Sequence, residues 1–424
     1  MGGTGGRPGY PAEVLDWRFK GLRPGTAVRS DQVGEQGWSL AAGDTGTPVA
    51  VLRESAVRHN AMSLQAFCGR HGVELAPHAK TTMSPELIEL QLAAGAWGLT
   101  VAVPHQVSVL LALGVPRILV ANEIADPVAL GSLARQAAAA GTDLICYVDS
   151  VDGVRLARAA LDPGAPLSVL LEVGHAGGRT GVRTREQARA VAAEVAASPS
   201  LRLAGVAGYE GTVGSDRDDG TVAAVDGYLD LVGQVYRDLD IAGLLAPGTR
   251  VLTAGGSVFF DRVVARLGPL RDQGATVVLR SGCYLSHDDG FYSRVTPGSA
   301  QRWGEAALRP ALEVWARVVS RPEPGLALLD AGRRDLSHDL GLPVPRWRVR
   351  AGVRTAAVGL EAIGLADQHT FVRVDPEQPQ AADLAVGDLV GLGVSHPCTT
   401  FDKWRMLLLV DDDDRVTGAV RTLF

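Results

Sequence analysis

The sequence predicts an α/β protein, a (β/α)8 barrel joined to a second, mostly antiparallel β domain, and three observations carry that prediction. Between about residues 73 and 284, short apolar and β-branched runs alternate with amphipathic helical stretches, as βα units around a parallel sheet require. The runs can be counted, and there are eight of them, the number that closes a barrel. Beyond residue 300 the alternation stops, and strands joined directly by turns take over.

A strand over 49–53 and a helix over 56–71 lead into the barrel. The eight barrel strands are expected at 73–80, 99–103, 118–122, 144–149, 168–173, 203–208, 250–254 and 276–281. Helix starts between them are plain. Ser84-Pro85-Glu86 offers a capping hydroxyl, a proline suited to the first turn and an acid for the positive helix end; Asp126-Pro127 and Thr184-Arg185-Glu186-Gln187 open two others. In the second part, strands are expected at 312–320 and 326–330 around a turn at 321–325, then at 406–410 and 416–424 around 411–414. The first 45 residues are expected to complete that part. The boundaries are therefore 46–285 for the barrel, and 1–45 with 286–424 for the β domain.

Composition narrows the function. With 424 residues, 46% of them hydrophobic, the chain can bury a core in each part. A formal net charge of -6 gives no field that would draw it to nucleic acid or an anionic membrane, so a small-molecule partner is expected. No stretch of roughly 18 uncharged apolar residues is present. The N-terminal run from Met1 to Pro8 also lacks the apolar core of a signal sequence, and the expectation is a soluble cytoplasmic protein. Cys68, Cys146, Cys283 and Cys398 form no CxxC spacing, so free thiols are expected rather than disulfides.

Of 41 basic residues only Lys20, Lys80 and Lys403 are lysines, which sets Lys80 apart. It closes the first barrel strand, at the rim where barrel chemistry sits, and an amine there can form a Schiff base with an aldehyde. An ion-paired rim lysine is the plain alternative. Across the rim, Thr253-Ala254-Gly255-Gly256-Ser257 ends the seventh strand ahead of a helix, and Arg280-Ser281-Gly282-Cys283-Tyr284 ends the eighth. Barrels bind phosphate at this place, where glycines let backbone N–H groups approach and a helix start adds positive potential. A lysine facing such a loop points to a phosphorylated aldehyde cofactor. Arg179 and Tyr209, in glycine-rich loops after the fifth and sixth strands, could meet the cofactor ring, one at its phenolate oxygen and one at its nitrogen. Ordinary surface and core roles are the alternative for both. In His396-Pro397-Cys398 an imidazole and a thiol two positions apart face one side of an extended segment, a pair that leaves positions open on zinc. A structural His beside a buried Cys is the alternative.

Together these residues resemble the metal-activated D-serine dehydratases and D-threonine aldolases, which share the alanine-racemase type of pyridoxal-phosphate fold, over about residues 45–410. Pro77-His78-Ala79-Lys80-Thr81 is similar to the family's Pro-His-x-Lys-Thr motif. The stretch ending Arg179-Thr180-Gly181 resembles its Gly-x-x-Arg-x-Gly loop, with Ala176 in place of the first glycine, and Tyr209-Glu210-Gly211 its Tyr-Glu-Gly segment. Gly255-Gly256-Ser257 and Gly282-Cys283-Tyr284 look like its two phosphate segments. Where many relatives have Arg before Pro-His and His-Lys after the Thr, this chain has Ala76 and Thr82-Met83. The family's metal pair is His-x-Cys in the dehydratases and commonly His-x-Asp in the aldolases, so His396 and Cys398 fall on the dehydratase side.

The resemblance implies pyridoxal 5'-phosphate held by Lys80 as a Schiff base. Thr253, Gly255, Gly256, Ser257, Gly282, Cys283 and Tyr284 would surround it, with Arg179 at the phenolate oxygen and Tyr209 at the ring nitrogen. It also implies Zn2+ or another divalent metal on His396 and Cys398, a homodimer, and β-elimination on a small D-3-hydroxy amino acid such as D-serine. Two alternatives stand beside this reading. One is retro-aldol cleavage to glycine and an aldehyde with the same groups; the other is a non-catalytic pyridoxal-phosphate carrier, against which the large second domain argues. Racemisation would need a second base, and none stands out.

Overall fold

The computed structural model describes residues 11–248 and 250–424, so the expectation about Met1 to Pro8 lies outside the described residues. The eight expected runs form one curled parallel sheet. Its strands are Glu74–Leu75, Leu99–Val101, Arg117–Val120, Asp143–Val148, Leu167–Val173, Leu201–Gly208, Arg250–Thr253 and Ala275–Leu279. The eighth pairs with the first, and a bridge from His78 to Thr100 joins the first to the second, so the sheet closes into a barrel. Inward-facing Ala76, Leu119, Ile145, Leu170, Val251 and Val278 fill its lower interior.

The first strand is shorter than 73–80 because Pro77 has no N–H to give to a ladder. The chain leaves the sheet after Leu75, touches it again where Thr100 N–H donates to Pro77 C=O (2.9 Å), and enters a 3-10 turn at Ala79–Thr81. Lys80 is thereby carried on a turn above the rim rather than at a strand end. The expected helix starts are present. Asp126 accepts from Val128 and Ala129 N–H, and Thr184 with Gln187 forms a reciprocal capping box. The helix Glu54–His71 and those between the strands bury their apolar faces against the outside of the barrel.

The second part is a ten-stranded, mostly antiparallel sheet. The strand Val49–Arg53, which precedes the barrel in sequence, belongs to it, antiparallel to Leu312–Glu323 and parallel to Met406–Val410. Leu312–Glu323 runs on into what the sequence suggests is a turn, then folds back on Leu326–Leu329. Met406–Val410 and Val416–Arg421 form the expected terminal hairpin. Five further strands, Val344–Arg350, Val353–Ala356, Leu360–Leu365, Thr370–Val374 and Leu389–Gly393, complete the sheet. Leu15, Phe19, Val33 and Leu40 pack with Trp315, Met406 and Leu408, so residues 15–40 lie on this sheet. Among the described residues no helix is long and apolar enough to cross a membrane.

Candidate active site

Three segments meet at the C-terminal mouth of the barrel: the Lys80 turn, the end of the eighth strand, and the loop after Leu389–Gly393. Cys398 Sγ lies 3.4 Å from Thr81 Oγ1 and 3.4 Å from Cys283 Sγ. The His-x-Cys pair therefore reaches the lysine turn within one chain. Lys80 is exposed, and among the described residues its amine meets no hydrogen-bond acceptor and no carboxylate. By contrast, Lys20 is paired with Asp335 (2.8 Å) and lies over the Trp404 ring.

Without a metal, the electrostatics at the pair favour a thiolate facing an imidazolium, so a bound metal would replace the imidazole's second proton. Burial would lower the His396 pKa, but Cys398 and Asp339 outweigh it and lift it to about 9. The Cys398 thiol is held well below its ordinary value by a hydrogen bond with Cys283, against the opposing effect of burial and with help from His396. The thiolate is the form that binds metal, and an imidazole nitrogen with a thiolate matches zinc better than magnesium. Among the described residues no three His, Cys, Asp or Glu side chains are arranged to hold an ion, so the donors offered are this pair.

The glycine loop is organised by Glu210, which is fully buried. Its carboxylate accepts from Gly255 N–H (2.9 Å) and Gly256 N–H (2.6 Å), so those two amides are engaged by protein. The next donors are free. Among the described residues the backbone N–H groups of Ser257, Gly282, Cys283 and Tyr284 make no hydrogen bond, although Cys283 and Tyr284 are buried. Buried amides without acceptors are costly unless a ligand takes them; Ser257 lies just ahead of the helix Phe260–Leu267, and Ser281 Oγ donating to Gly256 C=O (3.0 Å) ties its loop to the 282–284 segment. They fit a phosphate. Gly282 is required there, because a Cβ would stand 2.7 Å from Thr81 Oγ1 and 2.8 Å from His78 Cβ. The Tyr284 phenol points away and pairs with Gln91 (3.2 Å), leaving only its backbone for the ligand. Thr253 is also turned inward: it donates to Val278 C=O and accepts from Arg280 Nη1 (2.6 Å).

Arg179 and Tyr209 line one small cleft, with the guanidinium 5.4 Å from the phenol ring centroid. Burial pushes the Tyr209 phenol up to about 12, so it stays protonated. A Cβ on Gly256 would stand 3.0 Å from Tyr209 Cε2, which places this ring against the glycine loop. His78 has a buried Nδ1 with no partner, and its pKa is held well below the ordinary value by burial and by the charges of Lys80, Arg280 and Arg179. Three cations acting on one imidazole mark a mouth prepared for an anionic ligand. Arg280, Glu210 and Asp339 were not singled out by the sequence as site residues. Glu210 lay inside the Tyr-Glu-Gly segment, but its partners are 45 and 46 positions away.

A carboxylate pair, Glu123 and Glu172, sits on the same rim. Glu123 is pushed up to about 8 by burial and by the charge and hydrogen bond of Glu172. A folded-state pKa above the unfolded value means that the native state keeps a proton which the unfolded chain loses. Stability contributed by this group is then present below pH 4.5 and declines as pH rises to about 8. Glu123→Gln should therefore raise the melting temperature by a few degrees at pH 8.5 and leave it unchanged at pH 4.5. Equal shifts at both pH values would show that the proton is not held there.

Comparison with known proteins agrees with this geometry. Residues 52–262 match the family described as “Alanine racemase, N-terminal domain” and residues 311–410 the “Putative serine dehydratase domain”. The chain is 30% identical to a D-threonine aldolase of Arthrobacter sp over 86% of its length and 89% of that protein. It is 30% identical to a D-threo-3-hydroxyaspartate dehydratase of Delftia sp. over 70% of this chain and 73% of the other. Among solved structures, D-threonine aldolase from Filomicrobium marinum superposes with a TM-score of 0.77 at 26% identity, covering 91% of this chain and 96% of that one. A cysteine-to-alanine mutant of D-threo-3-hydroxyaspartate dehydratase, solved in the metal-free form, has the same fold (TM-score 0.73, 24% identity, 91% and 99% covered).

Proposed function

The chain belongs to the D-serine dehydratase and D-threonine aldolase family of pyridoxal-phosphate lyases, and from that premise we propose that it catalyses β-elimination on a D-3-hydroxy amino acid such as D-serine, releasing ammonia and a 2-oxo acid. The observation that carries this reading is Cys398, a thiol where the aldolases commonly have a carboxylate, 3.4 Å from the turn that bears Lys80.

Lys80 would hold pyridoxal phosphate, with its phosphate on the free amides of Ser257 and Gly282 to Tyr284. Once bound, that cofactor supplies a sink for the electron pair left at Cα. Arg179 would meet its phenolate oxygen, and Tyr209, as a neutral phenol, its ring nitrogen. When substrate displaces it, the Lys80 amine takes the α-proton, unhindered by any carboxylate partner. His396 and Cys398 would hold zinc, whose contribution is Lewis-acid polarisation of the β-hydroxyl as a leaving group. The Cα–H and Cβ–O bonds break and a C=C bond forms. The enamine that leaves hydrolyses to the 2-oxo acid and ammonia.

The similarity to the Arthrobacter D-threonine aldolase supports a second reading with the same groups. In it the β-hydroxyl loses its proton, the Cα–Cβ bond breaks, and glycine and an aldehyde are released. Incubating the protein with D-serine, D-threonine and D-threo-3-hydroxyaspartate, with zinc and with chelator, separates the two by product. We expect ammonia and a 2-oxo acid, with zinc dependence; glycine and acetaldehyde from D-threonine as the main products would replace the first reading by the second.

A further inference from the structure

We infer that Asp339 is the positioning residue of the His396–Cys398 pair: it fixes the imidazole with Nε2 as the donor and ties down the turn that carries the thiol. The inference rests on the proposed reading of that pair as metal ligands. Asp339 Oδ2 lies 2.6 Å from His396 Nδ1, and its Oδ1 accepts from Thr399 Oγ1 at 2.8 Å. One carboxylate thus grips the residue before Pro397-Cys398 and the residue after it.

The chemistry follows from the donor inventory. An ionised carboxylate only accepts, so the hydrogen belongs on Nδ1, and a metal that displaces the second ring proton meets its lone pair at Nε2. Donation from the second nitrogen fixes the tautomer and plane of a metal-binding imidazole and raises its basicity. The rest of the Asp339 loop is built for the same purpose. Ser337 Oγ accepts from His396 N–H (3.1 Å), Ser337 N–H donates to Thr400 Oγ1 (3.1 Å), and Ser395 Oγ donates to Gly341 C=O (2.5 Å). The start of the loop is anchored by Trp404 Nε1–H on Asp335 C=O (2.9 Å) and by Lys20 on the Asp335 carboxylate. The Asp339 side chain itself is 45% exposed, so no core packing calls for an acid at this position.

The test uses the full-length protein loaded with pyridoxal phosphate and zinc alone as the probe, with affinity read by competition against a chromophoric chelator. Asp339→Ala should weaken zinc binding by about 10–100-fold. Asp339→Asn, which keeps an acceptor oxygen of the same size and loses only the charge, should weaken it by a smaller factor, as should Thr399→Val. Cofactor absorbance should be unchanged in all three. Wild-type zinc affinity in Asp339→Ala, with affinity lost in His396→Ala, would overturn the inference. Wild-type affinity in His396→Ala and Cys398→Ala would instead overturn the assignment of the pair itself.

Discussion

Lys80→Ala should fold, should lose the violet absorption of bound cofactor, and should lose at least about a thousandfold in turnover, since the same amine both attaches the cofactor and moves the α-proton. The expectation of a folded variant comes from the structure. Lys80 is exposed on the turn Ala79–Thr81, and among the described residues it makes no bond that the fold would miss. The residues that hold the turn are its neighbours: Ala79 and Thr81 are buried, and Met83 N–H donates to Ala79 C=O at 2.8 Å. Borohydride reduction followed by peptide mapping should mark Lys80. A label on Lys20 would be incompatible with the assignment, because Lys20 is committed to Asp335 and to the face of Trp404.

Metal removal should have the second-largest effect and a different signature. Chelation, or Cys398→Ala, should abolish elimination and leave the violet band in place, because the groups proposed to hold the cofactor are the Lys80 amine and backbone amides, which neither change removes. Loss of a direct ligand should weaken zinc by more than the roughly 10–100-fold that follows loss of a residue which only orients one. Added zinc should restore the chelated enzyme and fail to restore the variant. Full turnover of D-serine by either would return the pair to a structural role.

Much of the barrel is legible in the sequence because each buried strand is a short, continuous apolar run between capped helices, as at Leu167–Val173 ahead of the Thr184 box. Lys80, Arg179, Tyr209 and the glycine segments stand out for a related reason: they lie in the loops that follow such strands. The second sheet is less legible. Val344–Arg350 alternates arginines with Trp347 and Val349 on a half-exposed surface and carries Pro345, so it reads as loop. Leu389–Gly393 is fully buried but glycine-rich, and its strand character comes from pairing with Leu312–Glu323 and Val344–Arg350. Tertiary partnerships leave no mark on local pattern. Asp339 is 57 positions from His396, and no spacing links them. The grip of Glu210 on Gly255 and Gly256 is hidden in the same way, although every residue in it belongs to a recognisable segment.

The barrel has a seam. Around most of its circumference neighbouring strands share a run of ladder bonds, but first and second meet through a looser set: the bridge at His78 and Thr100, Trp97 N–H on Leu75 C=O (2.8 Å), and the Thr100 hydroxyl on Ala76 C=O (2.6 Å). Just above that place the Lys80 turn is held from the second domain: Cys398 lies against Thr81, and Leu423 N–H donates to Met83 C=O (2.9 Å). Residues far along the sequence, Cys398 and Leu423, therefore act as a clasp on the turn that carries the reactive amine. The position of the reactive amine thus depends on both sheets at once, and a change that loosens the β domain at Cys398 or Leu423 would be felt at Lys80.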